Sequence, residues 1–533
     1  MKTETQWLQK KWAMPDAACD AVEKLLEAQS EGSTALKLET PVSEWGRAAA
    51  TPDGDKTTPL VVIEHGDSTF VQTRWFFEAE KKIAGFLSSL NCDSPVDCTQ
   101  EKIATYFNEE GPQRDAAAMA LAKRLTVITG GPGTGKTYTL ARILALLIDG
   151  GINPKSIQLT APTGKAADRM KKEVEKACTE ACGNLTPDIQ EKLRAVADTS
   201  RTIHSLLRYN PGKNSCTYHA GHRLPCKIFI VDECSMIDTM LWQALLEALP
   251  DVDARLILLG DPNQLESVGR GNIFSEIAAS EDLKSTRINL TKSRRFADRP
   301  AIAQLALAIE DRKGGDAIDL LSRNQQHACP DGLFWNDSNG ISEILNNLPP
   351  AVLEAMQSVA FAPTPEAALQ ALNQVRILTS HRMPVTGNQS IGSAIEKILL
   401  EKSAGKKIIN RPVIINRNDP ETGLRNGEVG IIYSDGEGVK VYFDDKRSAL
   451  SVSKLPDHSP AWTITIHRSQ GSEYEIVVVL LPKKSDSPLA TRQLLYTAIT
   501  RSKKSLFVYG SSEVIQKAIS QSGQRTTLLE FHI

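Results

Sequence analysis

At 533 residues the chain is too long for one hydrophobic core, and length alone predicts about three or four domains. Its composition, 41% hydrophobic and 24% charged, is that of a soluble globular protein. The net charge of −2 excludes a globally basic field, so any nucleic-acid contact has to come from a local groove. The opening MKTETQWLQKKW lacks the apolar centre of a secretory signal, and no apolar run approaches a membrane span. Nine cysteines, an odd number spread over a long chain, read as reduced thiols, so a cytoplasmic protein with no membrane partner is expected.

Residues 1–100 carry no catalytic signature and are expected to form a small N-terminal α+β domain. AACDAVEKLLEAQ predicts a helix, and PLVVIEHGDSTFVQTRW predicts two strands broken at His65–Asp67, a hairpin. Phe76–Leu90 has helical periodicity. Cys92 and Cys98, flanking DSPVD, read as plain loop residues. The helix predicted over QRDAAAMALAKRL bears Gln113, whose carboxamide can both donate to and accept from one purine edge.

Leu125–Leu140, LTVITGGPGTGKTYTL, places a β-prone run, a glycine-rich loop and a helical run in succession. Gly130, Gly135, Lys136 and Thr137 fit G-x-x-x-x-G-K-[ST], the phosphate-binding loop of P-loop nucleotidases. Gly130, Gly131, Gly133 and Gly135 let the backbone curl so that successive N–H groups face one anion, with Pro132 and Thr134 completing the cradle. The helix that follows adds its positive end. Lys136 is expected on the β- and γ-phosphates of ATP, and Thr137 on Mg2+.

SIQLTAPT reads as a second buried strand ending near Thr163, followed by a helix over GKAADRMKKEVEKA and by TIHSLL with His204. Polar RYNPGKNSCTYHAGHRLP predicts a hairpin insertion at about 208–226. Its Cys216, His219, His222 and Cys226 are zinc-type residues, but their gaps do not match finger spacing. A polar hairpin is the better reading, and metal binding stays open. The strand KIFIV then delivers Asp232 and Glu233. Asp232 is expected to hold Mg2+ through water, and Glu233 to orient and deprotonate the attacking water. A strand over Arg255–Leu259 leads to GDPNQL, where Gln264 can sense the γ-phosphate. Residues 101–290 thus predict one α/β lobe of parallel strands, active at their carboxyl ends.

Residues 291–533 predict a second α/β lobe. RINLTKSRRF places two arginines after a strand, and VRILTSHR opens the new sheet. Short strands over about 405–457, with a tight turn at Ser434–Gly436, suggest a small β-barrel insertion. AWTITIHRSQGSEYEIVVVLL and LLYTAITRSKKSLFVYG resume the lobe.

In this order, TGGPGTGKT, LTAPTGKAADR, TIHSLL, IVDECSMID, LLGDPNQLESVG, INLTKSRRF, TIHRSQGSEY and LLYTAITRS resemble the motifs of superfamily 1 helicases. More narrowly they resemble the RecD-type branch, the exodeoxyribonuclease V alpha subunit, over roughly residues 110–510. The resemblance implies two RecA-like lobes that bind ATP between them and move 5′ to 3′ on single-stranded DNA. It implies that Gln113 reads adenine, that Arg295 and Arg501 reach the γ-phosphate from the second lobe, and that Gly471 and Glu473 lie near the nucleotide sugar. Thr163, His204, His381, His467 and Ser469 match positions on the DNA side, where a sequence-blind motor needs backbone contacts and stacking. TPLVVIEHGDSTFVQTRWFFEAEKKIAGFL resembles the domain that docks the alpha chain on the gamma chain, in a heterotrimer whose nuclease sits on the beta subunit. The implied substrates are single-stranded and duplex-end DNA, in double-strand-break repair and recombination. A stand-alone RecD-like helicase is the alternative, although the helix-hairpin-helix extension typical of that branch is not seen. A nucleotide-gated interaction module without translocation is opposed by intact Lys136, Asp232, Glu233, Arg295 and Arg501.

Overall fold

The computed structural model describes all residues except 1, 41, 43, 108, 181–184, 251–252, 292–299, 325–331, 339–340, 381–384, 404, 435–437, 445–448, 484–486, 488–489, 522, 524 and 533. For 2–4, 179–180, 341–342, 346, 385–390 and 531 it describes the backbone alone. Arg295, His381 and the turn expected at Ser434–Gly436, which runs into 435–437, therefore fall wholly or partly outside the described residues. The chain forms two compact units. The first comprises Met1–Pro262, Glu266–Lys292 and Gln524–Ile533; the second comprises Asn263–Leu265 and Ser293–Gly523.

The first unit opens with a four-stranded sheet of β1 (Ala35–Leu38), β2 (Ala49–Ala50), β3 (Leu60–His65) and β4 (Ser68–Thr73), in the order β1-β4-β3-β2. His65 pairs with Ser68, so a two-residue turn sits where the sequence pattern breaks. Alternation along β3 sorts its residues between two cores. Leu60 packs with Val22 and Leu25 of the helix Asp16–Ser30. Val61 and Ile63 pack with Phe77 of the helix Arg74–Leu90.

Next come β5 (Leu125–Gly130), β6 (Ile157–Ala161), β7 (Arg201–Thr202), β8 (Tyr209–Asn210), β9 (Ser215–Cys216), β10 (Ile228–Val231), β11 (Arg255–Gly260) and β12 (Arg287–Leu290). β8 and β9 form a small antiparallel hairpin. The others make one parallel sheet, β12-β5-β11-β10-β6-β7. Every residue of β5, β10 and β11 is buried, as a parallel sheet covered on both faces requires. Ile128, Ile230 and Ile257 pack with Leu140, Ile143 and Leu144 of the helix Lys136–Asp149. Val127, Phe229 and Leu258 pack on the opposite side with Trp242 and Leu246 of the helix Thr239–Glu247. Each such fully buried aliphatic side chain contributes about 1.5–3 kcal/mol.

The second unit holds β13 (Leu333–Asn336), β14 (Val375–Thr379), β15 (Asn410–Ile415), β16 (Val429–Ser434), β17 (Val439–Phe443), β18 (Leu450–Ser451), β19 (His458–Pro460), β20 (Thr463–Thr465), β21 (Tyr474–Leu480) and β22 (Ser502–Tyr509). A parallel sheet runs β13-β22-β21-β14-β20. The antiparallel strands line up as β18-β17-β16-β15-β19, an open order, and no closed barrel is formed among the described residues.

The segment after Gly523 packs in the first unit, not in the lobe to which its sequence position assigned it. The N–H groups of Thr34 and Ala35 both donate to the carbonyl of Thr526, at 2.9 and 3.2 Å. Among the described residues no helix is long and apolar enough to cross a membrane.

Candidate nucleotide and nucleic-acid site

In the first unit the carboxyl ends of four neighbouring strands converge. β5 runs into the glycine-rich loop, β11 delivers Asp261, β10 delivers Asp232 and Glu233, and β6 leads to Thr163. Register makes this a consequence of topology: parallel neighbours present their carboxyl ends on one edge.

Gly135 begins the helix Lys136–Asp149 at φ +89°, a conformation open to glycine at little cost. A Cβ there would also stand 2.5 Å from Nε2 of Gln113. Gln113 Nε2 donates to the carbonyl of Thr134 at 3.0 Å, so the glutamine expected to read adenine is fastened to the phosphate loop itself. Lys136 Nζ donates to the carbonyls of Gly130 and of Gly131, the latter at 3.1 Å. Burial lowers the affinity of the Lys136 amine for its proton, opposed by the carboxylates of Asp261, Glu233 and Asp232.

Asp232 N donates to the carbonyl of Thr160 at 3.0 Å, extending the β6–β10 ladder to the acidic pair. Glu233 then turns to φ +53°, and its N–H donates to Asp232 Oδ1 at 2.8 Å. Burial, reinforced by the Glu233 charge, pushes the Asp232 carboxyl up to about 6, while Arg169 and Lys136 oppose the shift. Arg169 Nη1 lies 3.9 Å from Glu233 Oε1. Sequence reasoning missed Arg169 and Asp261. The only signal was their place within the helicase-like motifs, because the period of a helix does not say which basic residue meets a carboxylate from another strand.

Thr163 Oγ1 accepts from Ala166 N at 3.3 Å at the start of the helix Gly164–Glu180. His204 is exposed on the helix Ile203–Leu206, and its ring meets Tyr209 of the β8–β9 hairpin edge-on, centroids 5.5 Å apart. In the same insertion Gly221 N donates to His219 Nδ1, and His222 Nδ1 lies 3.1 Å from the carbonyl of Thr217. Cys216 and Cys226 lean on the first unit's core. Among the described residues no group of three or more His, Cys, Asp or Glu is arranged to hold a metal.

In the second unit Arg501 is buried after the helix Arg492–Ile499. Its Nη2 donates to Gln264 Oε1 at 2.9 Å, Nη1 to the carbonyl of Ser472 at 3.2 Å and Nε to the carbonyl of Thr497 at 3.0 Å. The backbone beside Gln264 is held on both sides: Leu265 N donates to Thr497 Oγ1 at 2.8 Å, and Gln470 Nε2 to the Leu265 carbonyl at 2.9 Å. Gly471 is buried and Glu473 half-buried before β21. His467 is half-buried on the turn after β20, whereas Ser469 is wholly buried and donates to the Ile466 carbonyl at 2.7 Å. That hydroxyl holds the turn and offers no surface.

Residues 113–270 match the AAA domain family, and residues 460–509 match the UvrD-like helicase C-terminal domain. The RecBCD enzyme subunit RecD of Mycolicibacterium smegmatis is 34% identical over 480 residues, covering 88% of this chain and 83% of that protein. The same subunit of Mycobacterium tuberculosis H37Rv is 31% identical, covering 89% and 82%. The ATP-dependent RecD2 DNA helicase of Deinococcus radiodurans is 28% identical, covering 85% of this chain and 57% of that protein. The chain belongs to the RecD family of superfamily 1 helicases.

Proposed function

We propose that this chain is an ATP-dependent 5′-to-3′ DNA helicase, the alpha subunit of a RecBCD-like exodeoxyribonuclease V acting with beta and gamma chains in the cytoplasm. The observation that carries the reading is the edge where Lys136, Asp232, Glu233 and Asp261 meet, in a chain of this family. Thr137 and Asp232 supply oxygen donors only, and the raised Asp232 carboxyl marks a place where added positive charge is favourable; both suit Mg2+. When bound, Mg2+ neutralises charge on the phosphates. Lys136 and the N–H groups of the Gly130–Thr137 loop, Pro132 excepted, hold the triphosphate, Gln113 reads the base, and Gly471 and Glu473 lie by the sugar. Glu233 takes the proton of the attacking water, with Arg169 orienting its carboxylate. Gln264 senses the γ-phosphate, and Arg295 and Arg501 stabilise its developing charge.

The reading includes two RecA-like lobes, with the open antiparallel sheet β18-β17-β16-β15-β19 as an insertion in the second. Thr163, His204, His381 and His467 face single-stranded DNA, and buried Ser469 acts by shaping the turn that carries His467. Fuel is required on energetic grounds. Duplex stacking costs about 1.4 kcal/mol per step, so opening tens of pairs exceeds the roughly 18–21 kcal/mol at which binding saturates.

The test is ATP hydrolysis and strand separation by the purified chain with and without single-stranded DNA. Hydrolysis that ignores DNA discards the motor. Co-purification with large beta and gamma chains separates the heterotrimer from a stand-alone helicase. The chain spans 83% of the Mycolicibacterium smegmatis RecD subunit but only 57% of the Deinococcus radiodurans RecD2 helicase, which favours the heterotrimer.

A further inference from the structure

Three stretches distant in sequence meet within the first unit: the turn Glu31–Ala35, the loop Glu266–Gly271 and the segment Arg525–Leu529. Arg525 is at their centre. Its Nε lies 2.7 Å from Glu266 Oε2, and its Nη1 donates to the carbonyls of Gly269 at 2.6 Å and Gly271 at 3.2 Å. Only 16% of the Arg525 side chain and 9% of the Glu266 side chain reach solvent, so each charge depends on the other.

The turn is joined to both partners. Gly271 N donates to the Gly32 carbonyl at 2.7 Å, Thr34 N and Ala35 N donate to the Thr526 carbonyl, and Thr526 N donates to Ser33 Oγ at 3.1 Å. Gly32 sits at φ +105°, and a Cβ on it would collide with the Arg525 guanidinium. The segment itself is fixed: Leu528 and Leu529 are buried, and Leu528 N donates to Glu80 Oε2 at 3.0 Å. A planar guanidinium can meet a carboxylate and two carbonyls together; a lysine ammonium lacks that fork. The loop so held starts two residues after Gln264.

We propose that Arg525 is a positioning residue of the motor, holding Glu266–Gly271, the loop that follows Gln264 in the chain, against the turn Glu31–Ala35. This rests on Gln264 as the γ-phosphate sensor. Arg525 touches no substrate and acts through the loop.

Amide hydrogen exchange and ATP hydrolysis on the full chain test it, with Arg525→Ala and the gentler Arg525→Lys. In Arg525→Ala the Gly271, Thr34 and Ala35 amides exchange about tenfold faster or more, while those of β5 and β10 keep their protection. With saturating single-stranded DNA, kcat falls about tenfold, KM for ATP stays within about twofold, and Arg525→Lys falls between. Unchanged exchange in the loop overturns the proposal, as does unchanged kcat beside a DNA-stimulated wild type. Protection lost evenly across the first unit in both variants overturns it too, since that marks a purely structural role. A wild type that DNA does not stimulate removes the motor reading instead, and the exchange data then still decide whether Arg525 holds the loop.

Discussion

Arg501 and Gln264 are 237 residues apart in sequence, yet Arg501 Nη2 donates to Gln264 Oε1 at 2.9 Å with both side chains buried. The guanidinium is aimed by this bond and by the carbonyls of Ser472 and Thr497. Lysine carries the charge but cannot make those three contacts at once. Arg501→Lys is therefore expected to lower kcat for ATP hydrolysis by about 10³-fold while nucleotide binding persists. Gln264→Ala leaves one arm of a buried cation without this acceptor and costs about 1–3 kcal/mol of stability. Steady-state kinetics and thermal melts check both, and wild-type kcat in Arg501→Lys removes the residue from the mechanism.

Glu233 and Lys136 are expected to separate chemistry from binding. Glu233→Gln keeps the size of the side chain but cannot take a proton, so hydrolysis drops by about 10²–10⁴-fold. Titration with a fluorescent ATP analogue should find affinity close to wild type. Lys136→Ala should lose that affinity itself. If Glu233→Gln and wild type hydrolyse equally fast, the base is another group.

Gly135→Ala combines two penalties. Its φ of +89° is costly for any L-residue, and its Cβ would press on the Gln113 amide that holds Thr134. The expected result is an ATP affinity weakened about tenfold or more, corresponding to the roughly 1–2 kcal/mol cost of the conformation. In a Gln113→Ala background the contact is gone and the backbone strain remains, so Gly135→Ala should cost less there, measured against Gln113→Ala alone, but still weaken binding. No further loss would show that crowding alone mattered.

Glu80 gives a pH dependence. Burial pushes its carboxyl up to about 7, against hydrogen bonds from Thr34, Gln72 and the Leu528 N–H. The folded chain then keeps a proton between pH about 4.5 and 7 that the unfolded chain has released, so the Glu80 contribution to stability falls as pH rises through that window. Glu80→Gln mimics the protonated form and stays neutral. Relative to wild type it should gain on the order of 3 kcal/mol between pH 5 and pH 8. Melting midpoints of the two proteins at both pH values measure this. A difference that does not change with pH rejects the assignment.

Local chemistry was legible in the order of residues. The glycine loop, the strand that delivers Asp232 and Glu233, the β3–β4 hairpin and the helix bearing Gln113 all declare themselves within about ten residues, the range over which turn residues and hydrophobic period act. Their succession along the chain was enough to place them in a family. The same local patterns could not show that Gln113 would bond to the phosphate loop, that Arg169 would approach Glu233, or that Ser469 would be buried.

By itself, then, the sequence determined which segments become strands and helices and which loop carries the phosphate-binding motif, because those outcomes follow from neighbours in the chain. Tertiary structure alone decided that Asn263–Leu265 pack with the second unit, that the residues after Gly523 return to the first, and that Arg525 meets Glu266 across 258 intervening positions. Contacts of that separation leave no periodic trace. They are chosen only when burial forces each charged or polar group to find a partner, and that choice belongs to the folded chain as a whole.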